Sequence, residues 1–140
     1  MDYSIDVFTM QDYEAVYALW RETEGVGLSS ADEPESIAGY LARNPGMSFV
    51  ARAGGKVVGA VLCGHDGRRG LLHHLVVRGD CRRQGIGAAL VKRCLEALHG
   101  QGIDKCHLFV FRDNQSGIEF WRSQGWQERL TLVLMSKDTD

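Results

Sequence analysis

The sequence predicts one α/β domain with the element order β-α-α-β-β-β-α-β-α-β. Two observations predict it: short apolar runs bounded by glycine turns alternate with segments of helical periodicity, and no repeat, linker or low-complexity tract interrupts them. With 140 residues, of which 44% are hydrophobic, the chain is long enough to build one hydrophobic core. We therefore expect residues 1–140 to form a single domain.

The N-terminal part is expected to hold one strand and one helix. Ser4–Phe8 is the predicted strand, and Thr9 then caps a helix with Asp12 three residues later, the pattern of a capping box. Residues 25–30 break this helix with two glycines and two serines. Its apolar side chains stand at helical spacing and predict packing on the core: Tyr13, Val16, Tyr17 and Trp20.

A second helix and a meander of three strands follow. The helix begins at Asp32 or Glu33, because Pro34 then falls in its first turn. The hairpin turns of the meander lie at Gly54-Gly55 and Asp66-Gly67. Its predicted strands are Ser48–Ala53, Lys56–Gly64 and Arg68–Val77.

Helices and strands alternate in the rest of the chain. The periodicity predicts helices over Ile86–His99 and about Gln115–Gln124. It predicts strands over Lys105–Phe111 and Leu130–Met135. The last strand leaves little room for a full C-terminal hairpin.

Composition excludes several classes of protein. The net charge of −2 and the ordinary aromatic and charged fractions do not fit a nucleic-acid-binding protein. No apolar run approaches the roughly 20 residues of a membrane span, and residues 1–4 lack the pattern of a signal peptide. Two of the four cysteines, Cys63 and Cys94, lie in apolar strand and helix patterns. They are predicted to be buried free thiols in a reducing compartment, which indicates the cytoplasm.

One segment between a strand and a helix has the character of an anion cradle. Gly85 and Gly87 lack Cβ atoms, so an anion can approach the unpaired N–H groups at the start of the helix. Two arginines add positive charge at the same place. The segment comprises Arg82, Arg83, Gln84, Gly85, Ile86, Gly87 and Ala88. We interpret it as a pyrophosphate-binding loop.

Other interpretations of this segment remain. A glycine pair before a helix can be a plain turn. A dinucleotide-binding turn fits less well, because Leu90 stands where its third glycine would be and seven residues separate Val77 from Gly85. No Gly-Lys-Ser/Thr follows, which excludes a Walker loop.

The segment resembles the acyl-CoA pyrophosphate motif of the GNAT superfamily of N-acetyltransferases, as Arg82-x-x-Gly85-x-Gly87. A second block is similar to that superfamily's C-terminal segment. It consists of Asn114, Phe120-Trp121 and Gly125-Trp126. The order of elements also agrees, so the resemblance covers almost the whole chain.

The resemblance implies an N-acetyltransferase that uses acetyl-CoA as co-substrate and no metal. It implies a mixed, mostly antiparallel sheet in which two splayed strands hold the pantetheine arm, with the backbone of Leu75, Val76 and Val77 pairing to it. Asn114 matches the family's asparagine beside the pantetheine, although it also fits a helix N-cap. Trp121 stands where the family often has a tyrosine that acts as the general acid. That departure keeps a non-catalytic acyl-CoA-binding or regulatory module as the alternative.

Two adjacent strand histidines are the candidates for deprotonating an amine. Regular alternation sends His73 and His74 to opposite faces of the sheet, which makes them poor joint metal ligands. His74 is preferred because it directly precedes the pantetheine-pairing stretch, and a bulge in the strand would reverse the choice. Two packed structural histidines are the other interpretation.

The acceptor site is expected at the first two helices and their connection. Glu24 lies in the glycine-flanked break and is the candidate carboxylate there. The carboxylates of Asp32, Glu33 and Glu35 are interpreted as helix-capping and solvated groups. The expected acceptor is a small-molecule amine or a protein or peptide amine, without nucleic acid or membrane. A homodimer is compatible with the resemblance, since small GNAT-like domains often dimerise.

Overall fold

The computed structural model describes all 140 residues and divides into two compact units, Met1–Phe109 and Val110–Asp140. The first unit contains a five-stranded sheet and three α-helices. Its strands are β1 (Ser4–Val7), β2 (Phe49–Ala53), β3 (Lys56–His65), β4 (Gly70–Val77) and β5 (Cys106–Leu108). Its helices are α1 (Tyr13–Glu22), α2 (Pro34–Arg43) and α3 (Ile86–Gly100), and the second unit holds α4 (Gln115–Ser123). The single-domain organisation stays a prediction.

The strands lie side by side in chain order, and all neighbours are antiparallel except β4 and β5, which are parallel. The mixed, mostly antiparallel sheet is therefore confirmed. Gly54 and Gly55 form the predicted tight turn between β2 and β3, and both have positive φ angles, +58° and +79°. That conformation matches the twist of the two strands, which is why glycine is favoured there.

Short 3-10 turns precede α1 and α2. Thr9 and Asp12 form the predicted capping box, but the first turn, Met10–Asp12, is a 3-10 helix and α1 starts after it. A second 3-10 turn, Ser30–Asp32, lies in the connection to α2 and carries its own capping box, from Ser29 to Asp32. Glu33 is then the N-cap of α2, with Pro34 in the first turn as predicted.

The hydrophobic core lies on both faces of the sheet. Alternation along β3 sends Ala60 to the face covered by α1 and α2 and Gly59 to the face covered by α3, where Leu90 and Ile86 approach it. The core on the α1 and α2 face consists of Phe8, Tyr13, Val16, Leu19, Trp20, Ile37, Val50, Ala60, Leu62 and Val76.

A β-bulge interrupts β4 at His74. Leu62 pairs with His73 and Ala60 pairs with Val76, so the single residue between them on β3 faces two residues on β4. His74 adopts the left-handed conformation, with φ of +53°, which absorbs the extra residue. The prediction that the two histidines point to opposite faces is wrong, because the bulge breaks the alternation on which it relied.

The strands β4 and β5 pair only over a short distance. Their parallel ladder joins Gly70–Leu72 to Cys106–Leu108 and then stops, so no strand pairs with the outer edge of β4 beyond Leu72. The predicted strand Lys105–Phe111 is too long at both ends: β5 starts one residue later and ends at Leu108, before the exposed Phe109. The ladder with β4 stops at Leu108, so the residues after it have no partner strand for their backbone groups.

The predicted final strand, Leu130–Met135, does not form. A turn takes its place at the start, where the Leu132 N–H donates to the Arg129 carbonyl at 3.2 Å, and no strand pairs with the segment. Its leucine, valine and methionine side chains are exposed. The alternating apolar pattern is typical of a strand, but a strand also needs a partner for its backbone groups. The predicted element order therefore holds except for its last member.

None of the helices combines the length and the apolar character that a membrane span requires. The predicted free thiols are also found, since all four cysteines are unpaired and Cys63 and Cys94 are fully buried.

The close approach of α3 to the sheet predicts the effect of adding one methyl group. In Gly59→Ala the new Cβ would lie 3.1 Å from the Val76 carbonyl oxygen and 3.3 Å from a buried methyl of Leu90. We expect the free energy of unfolding in urea to fall by about 1–3 kcal/mol, the usual range for overpacking. In the control Gly39→Ala, on the exposed face of α2, the Cβ meets nothing within 4 Å. It should stabilise by about 0.5–1 kcal/mol through helix propensity, and equal effects of both changes would contradict this packing.

Candidate active site

A pocket opens beside the bulge on the face covered by α1 and α2. Its volume is about 280 Å³. It is formed by the connection between α1 and α2, by α2 itself and by the middle of β3 and β4. The residues that line it are Gly27, Ser29, Ala31, Asp32, Ile37, Tyr40, Leu62, His73 and His74. The bulge thus brings both candidate histidines to one pocket.

The His74 imidazole is held by a buried carboxylate. Its Nε2 lies 2.9 Å from Oδ1 of Asp32, whose side chain is only 7% exposed. The indole ring of Trp20 packs against the imidazole edge-on, with 5.1 Å between ring centroids. Nδ1 has no hydrogen-bond partner within the chain and is not among the buried unpaired atoms, so it is not fully enclosed.

His73 sits in a more apolar part of the same pocket. Its ring packs edge-on against Tyr40, at 6.1 Å between centroids, and lies 6.2 Å from the ring of His74. Burial lowers the pKa of His73, and the neighbouring His74 lowers it further. The protein therefore favours neutral imidazole at this position.

Asp32 does more than the capping role that the sequence indicates. Its Oδ2 accepts a hydrogen bond from the Ser29 N–H at 3.0 Å, which is the expected cap, while Oδ1 faces His74. Its main-chain carbonyl accepts a hydrogen bond from the Tyr13 hydroxyl at 2.7 Å. The residue therefore connects the loop between α1 and α2 to both α1 and β4.

Two buried donors near the histidines have no partner within the chain. They are the indole N–H of Trp20 and the hydroxyl of Tyr40, and Tyr40 lines the pocket. Burial raises the pKa of Tyr40, so its hydroxyl stays protonated. The sequence indicated core packing for Trp20 and did not single out Tyr40. No spacing rule links either residue to the histidines.

Glu24 lies apart from this group. It is exposed, makes no ion pair and does not line the pocket. Its proposed role stays a prediction.

The outer edge of β4 continues from the pocket towards the loop. Val76 and Val77 pair with Ala60 and Gly59 of β3 on the inner side, and no strand pairs with them or with Leu75 on the outer side. The backbone groups on that side are available to an extended ligand.

The predicted anion loop ends β4 and starts α3. Gly85 is left-handed, with φ of +81°, and a Cβ there would meet nothing within 4 Å, so the approach to the backbone is open. The first intrachain bond of the helix is donated by the Ala89 N–H to the Gly85 carbonyl, which leaves the preceding N–H groups unpaired. Arg82 and Arg83 are exposed, and Nε of Arg82 donates to the Val77 carbonyl at 3.2 Å.

The remaining predicted site residues belong to the second unit. Asn114 is the N-cap of α4, and its Oδ1 accepts from the Gly117 N–H at 3.0 Å, so the capping interpretation holds for that oxygen. The Trp121 ring packs edge-on against Phe120 and Trp126, at centroid distances of 5.1 and 5.2 Å.

Comparisons with known proteins agree with this architecture. The model of the "Acetyltransferase (GNAT) family" matches residues 13–126. An acetyltransferase of Pectobacterium atrosepticum is 37% identical over 115 residues, which span 81% of this chain and 80% of the relative. This chain belongs to the GNAT acetyltransferase family.

Solved structures show the same GNAT fold. Ard1 from Thermoplasma volcanium superposes with a TM-score of 0.79 at 23% identity, covering 89% of this chain and 82% of its own. The PaiA N-acetyltransferase from Thermoplasma acidophilum, solved in complex with coenzyme A, gives 0.75 at 18% identity and 88% coverage of both chains. The predicted fold class and the resemblance are both confirmed, and acetyl transfer is the activity of the family. No cluster of three or more His, Cys, Asp or Glu side chains is arranged to hold a metal ion.

The lowered pKa of His73 predicts a pH dependence of stability. The unfolded chain takes up a proton near pH 6.5, whereas the folded protein resists protonation until a lower pH. Stability should therefore be full above that value and fall as the pH drops below it, by at most about 1.4 kcal/mol per pH unit for this group. Urea unfolding between pH 7.5 and 5.5 measures the slope. His73→Gln should reduce it, and His99→Gln, which removes an exposed imidazole, is the control. Equal slopes for wild type and His73→Gln would contradict the prediction.

Proposed function

We propose that this protein transfers the acetyl group of acetyl-CoA directly to a primary amine of a small molecule or a peptide. The observation that carries the proposal is that β4 has no partner strand on its outer edge from His73 to Val77 and is followed along the chain by the open N-terminus of α3. Within this stretch the Val77 carbonyl accepts from Nε of Arg82. The pocket beside the bulge lies on the same strand and supplies a site for the acceptor.

The pyrophosphate of the coenzyme would bind at the start of α3. The unpaired N–H groups there point at the ligand with the positive end of the helix dipole, and Gly85 leaves the approach open. Arg82 and Arg83 add two full charges at the mouth of the loop. The bond from Arg82 to the Val77 carbonyl ties the loop to the end of the strand. The loop therefore fits a doubly charged anion.

The pantetheine arm would pair with the outer edge of β4 as an added strand, through the backbone of Leu75, Val76 and Val77. In the second unit, Asn114 is the residue that the family resemblance assigns to coenzyme binding. Its amide oxygen is occupied by the helix cap, which leaves the amide NH₂ group for a ligand.

In direct acetyl transfer the protein has two tasks, to orient the amine and the thioester and to transfer protons. Acetyl-CoA, when bound, supplies the thioester whose acetyl carbon the amine nitrogen attacks; a C–N bond forms and the C–S bond breaks. One proton leaves the nitrogen and one ends on the thiol. The bulge that was expected to reverse the choice between the histidines instead brings both to the pocket. We assign the first transfer to His74, because its Nδ1 is unpaired and not fully enclosed and its Nε2 is held by Asp32. Trp121 is too weak an acid for the second, so water or a backbone donor assists the thiolate.

The acceptor must be neutral when it attacks. His74 lines the pocket and is therefore the first candidate for removing the ammonium proton, whereas Glu24 is exposed and does not line it. Glu24 is the second candidate for removing the ammonium proton. The alternative function is acyl-CoA binding without turnover, and the replacement of the family tyrosine by Trp121 is the observation that favours it.

The proposal predicts that free CoA is released from acetyl-CoA only when a suitable primary amine is present. A thiol-release assay over a panel of polyamines, amino acids, aminoglycosides and peptides with free N-termini measures this, and mass spectrometry of the product shows an added acetyl group. Acceptors methylated to tertiary amines are the control, because they cannot give a stable amide. CoA binding by calorimetry with no acetylated product from any amine would support the non-catalytic alternative.

The anion loop predicts a selective loss of coenzyme binding in Gly87→Glu. The carboxylate would stand at the start of α3 and repel the pyrophosphate, so CoA affinity measured by calorimetry should fall by more than about tenfold, roughly 1.4 kcal/mol. Gly100→Glu places the same charge at the exposed opposite end of α3, where a Cβ meets nothing within 4 Å. That control should bind CoA as the wild type does. Unchanged affinity in a folded Gly87→Glu protein would refute the loop assignment.

A further inference from the structure

We propose that Asp32 is a positioning residue for His74: its carboxylate keeps the imidazole proton on Nε2, so that Nδ1 is the atom that takes the proton from the acceptor amine. This inference rests on the proposed function, since it specifies how the acceptor pocket of that enzyme works. It concerns a residue whose sequence context indicates only a helix cap.

The hydrogen bonds of Asp32 define which nitrogen carries the proton. A carboxylate only accepts hydrogen bonds, and its two oxygens here face the Ser29 N–H and Nε2 of His74, at 3.0 and 2.9 Å. Nε2 is therefore the donor, and Nδ1 of the neutral imidazole bears the lone pair. Nδ1 is unpaired and not fully enclosed, and His74 lines the pocket, so we assign this lone pair to the acceptor site.

Three features of the structure hold the His74 imidazole, and with it this lone pair, in position. The bulge sets the backbone of His74 in the left-handed region, at φ of +53°. Trp20 packs on the ring edge at 5.1 Å, and Asp32 holds Nε2. Strained backbone of this kind persists only where the surroundings hold it, and it is found frequently at functional sites.

The same capping motif occurs a second time in the chain with a different partner. Asp12 also closes a 3-10 turn: its Oδ2 accepts from the Thr9 N–H at 3.1 Å, and its side chain is buried to a similar degree. Its Oδ1, however, pairs with Nη2 of Arg52 at 2.9 Å, and arginine stays charged at all working pH values. Of the two buried capping aspartates, only Asp32 faces a side chain whose neutral form has a lone pair that can accept a proton.

Few other groups near His74 can change charge in this range. His73, on the same strand, is held neutral because burial lowers its pKa. From α2, Tyr40 lines the pocket, and from α1, Tyr13 donates to the Asp32 carbonyl; burial raises the pKa of both phenols. The charge that builds up when His74 takes a proton is therefore balanced by Asp32.

The proton balance of the step is simple. As the amine nitrogen bonds to the acetyl carbon, it loses one proton to Nδ1 of His74, either directly or through one water molecule. The resulting imidazolium keeps its Nε2–H bond to the Asp32 carboxylate. It then returns the proton to solvent, and the released thiolate takes up one proton, so the enzyme is regenerated unchanged.

Asp32→Asn tests the inference because the amide can keep the helix cap while the donor and the acceptor exchange roles in the hydrogen bond to His74. With the amide oxygen on the Ser29 N–H, the NH₂ group donates to Nε2 and moves the imidazole proton to Nδ1. We expect kcat to fall by about a hundredfold or more, with the KM for the amine and the Kd for CoA near their wild-type values. The rise of kcat/KM with pH through the neutral range should flatten.

Asp12→Asn is the matched control, since it makes the same change in the other capping box. It should alter stability by a similar amount and leave the pH–rate profile as in wild type. His74→Asn, which tolerates the left-handed backbone, should lower kcat to a similar degree, and adding Asp32→Asn to it should lower kcat no further. Additive losses in the double variant, or a wild-type profile in Asp32→Asn, would overturn the inference.

Nitrogen-15 NMR of the histidine side chains supplies a readout that does not need turnover or a folded Asp32→Asn protein. In the wild-type protein the His74 resonance, assigned by its loss in His74→Asn, should show the proton on Nε2. A proton on Nδ1 would overturn the inference even if Asp32→Asn does not fold. The Nε2 tautomer in a protein that acetylates no amine would instead keep the positioning role and refute the proposed function.

Discussion

The bulge in β4 is the constraint on which the candidate site depends. Without it, strand alternation would place one of the two histidines in the core on the α3 side, away from the pocket. The left-handed residue is held in place because ladder pairs stand on both sides of it, His73 with Leu62 and Val76 with Ala60. The backbone strain at His74 is thus supported by the regular pairing around it.

The bulge also lies close to the point where the sheet opens. The pairing of β4 with β5 ends at Leu72, and the outer edge of β4 is free from there to Val77. The pocket that we propose for the acceptor therefore lies on the same strand as this edge. In a reaction between two bound molecules, this adjacency matters more than any single catalytic group, because orientation of the reactants supplies much of the rate enhancement.

Asp32 links the irregular connection between α1 and α2 to the regular sheet. Its two carboxylate oxygens and its carbonyl reach the loop, β4 and α1 respectively. Residues of that connection form one wall of the pocket, so the residue that shapes the wall also orients the imidazole. Under the proposed function, the stability of the loop and the activity are coupled at this position, whereas Asp12 pairs with Arg52 instead of a histidine. Members of one fold family commonly differ in their loops, and here the acceptor pocket is the part built from one.

What the sequence determined by itself is local. The positions of the helices, the Gly54-Gly55 turn, the Thr9 capping box and the loop Arg82–Ala88 follow from periodicity and from residues close to one another in the chain. The coenzyme part of the candidate site belongs to this class, because one strand, one loop and one helix start make up most of it. For the same reason the resemblance to the family rested on motifs of a few residues.

The tertiary structure alone decided the acceptor part. His74 and Asp32 stand 42 positions apart, and neither spacing nor composition indicates that they meet. The bulge arises from how β3 and β4 align, so a rule of strict alternation assigned the histidines to opposite faces. The length of β5 and the absence of a strand at Leu130–Met135 also depend on strand pairing, which the sequence pattern does not show. Apolar alternation describes what a segment can do, but backbone hydrogen bonds with a partner strand decide whether it becomes a strand.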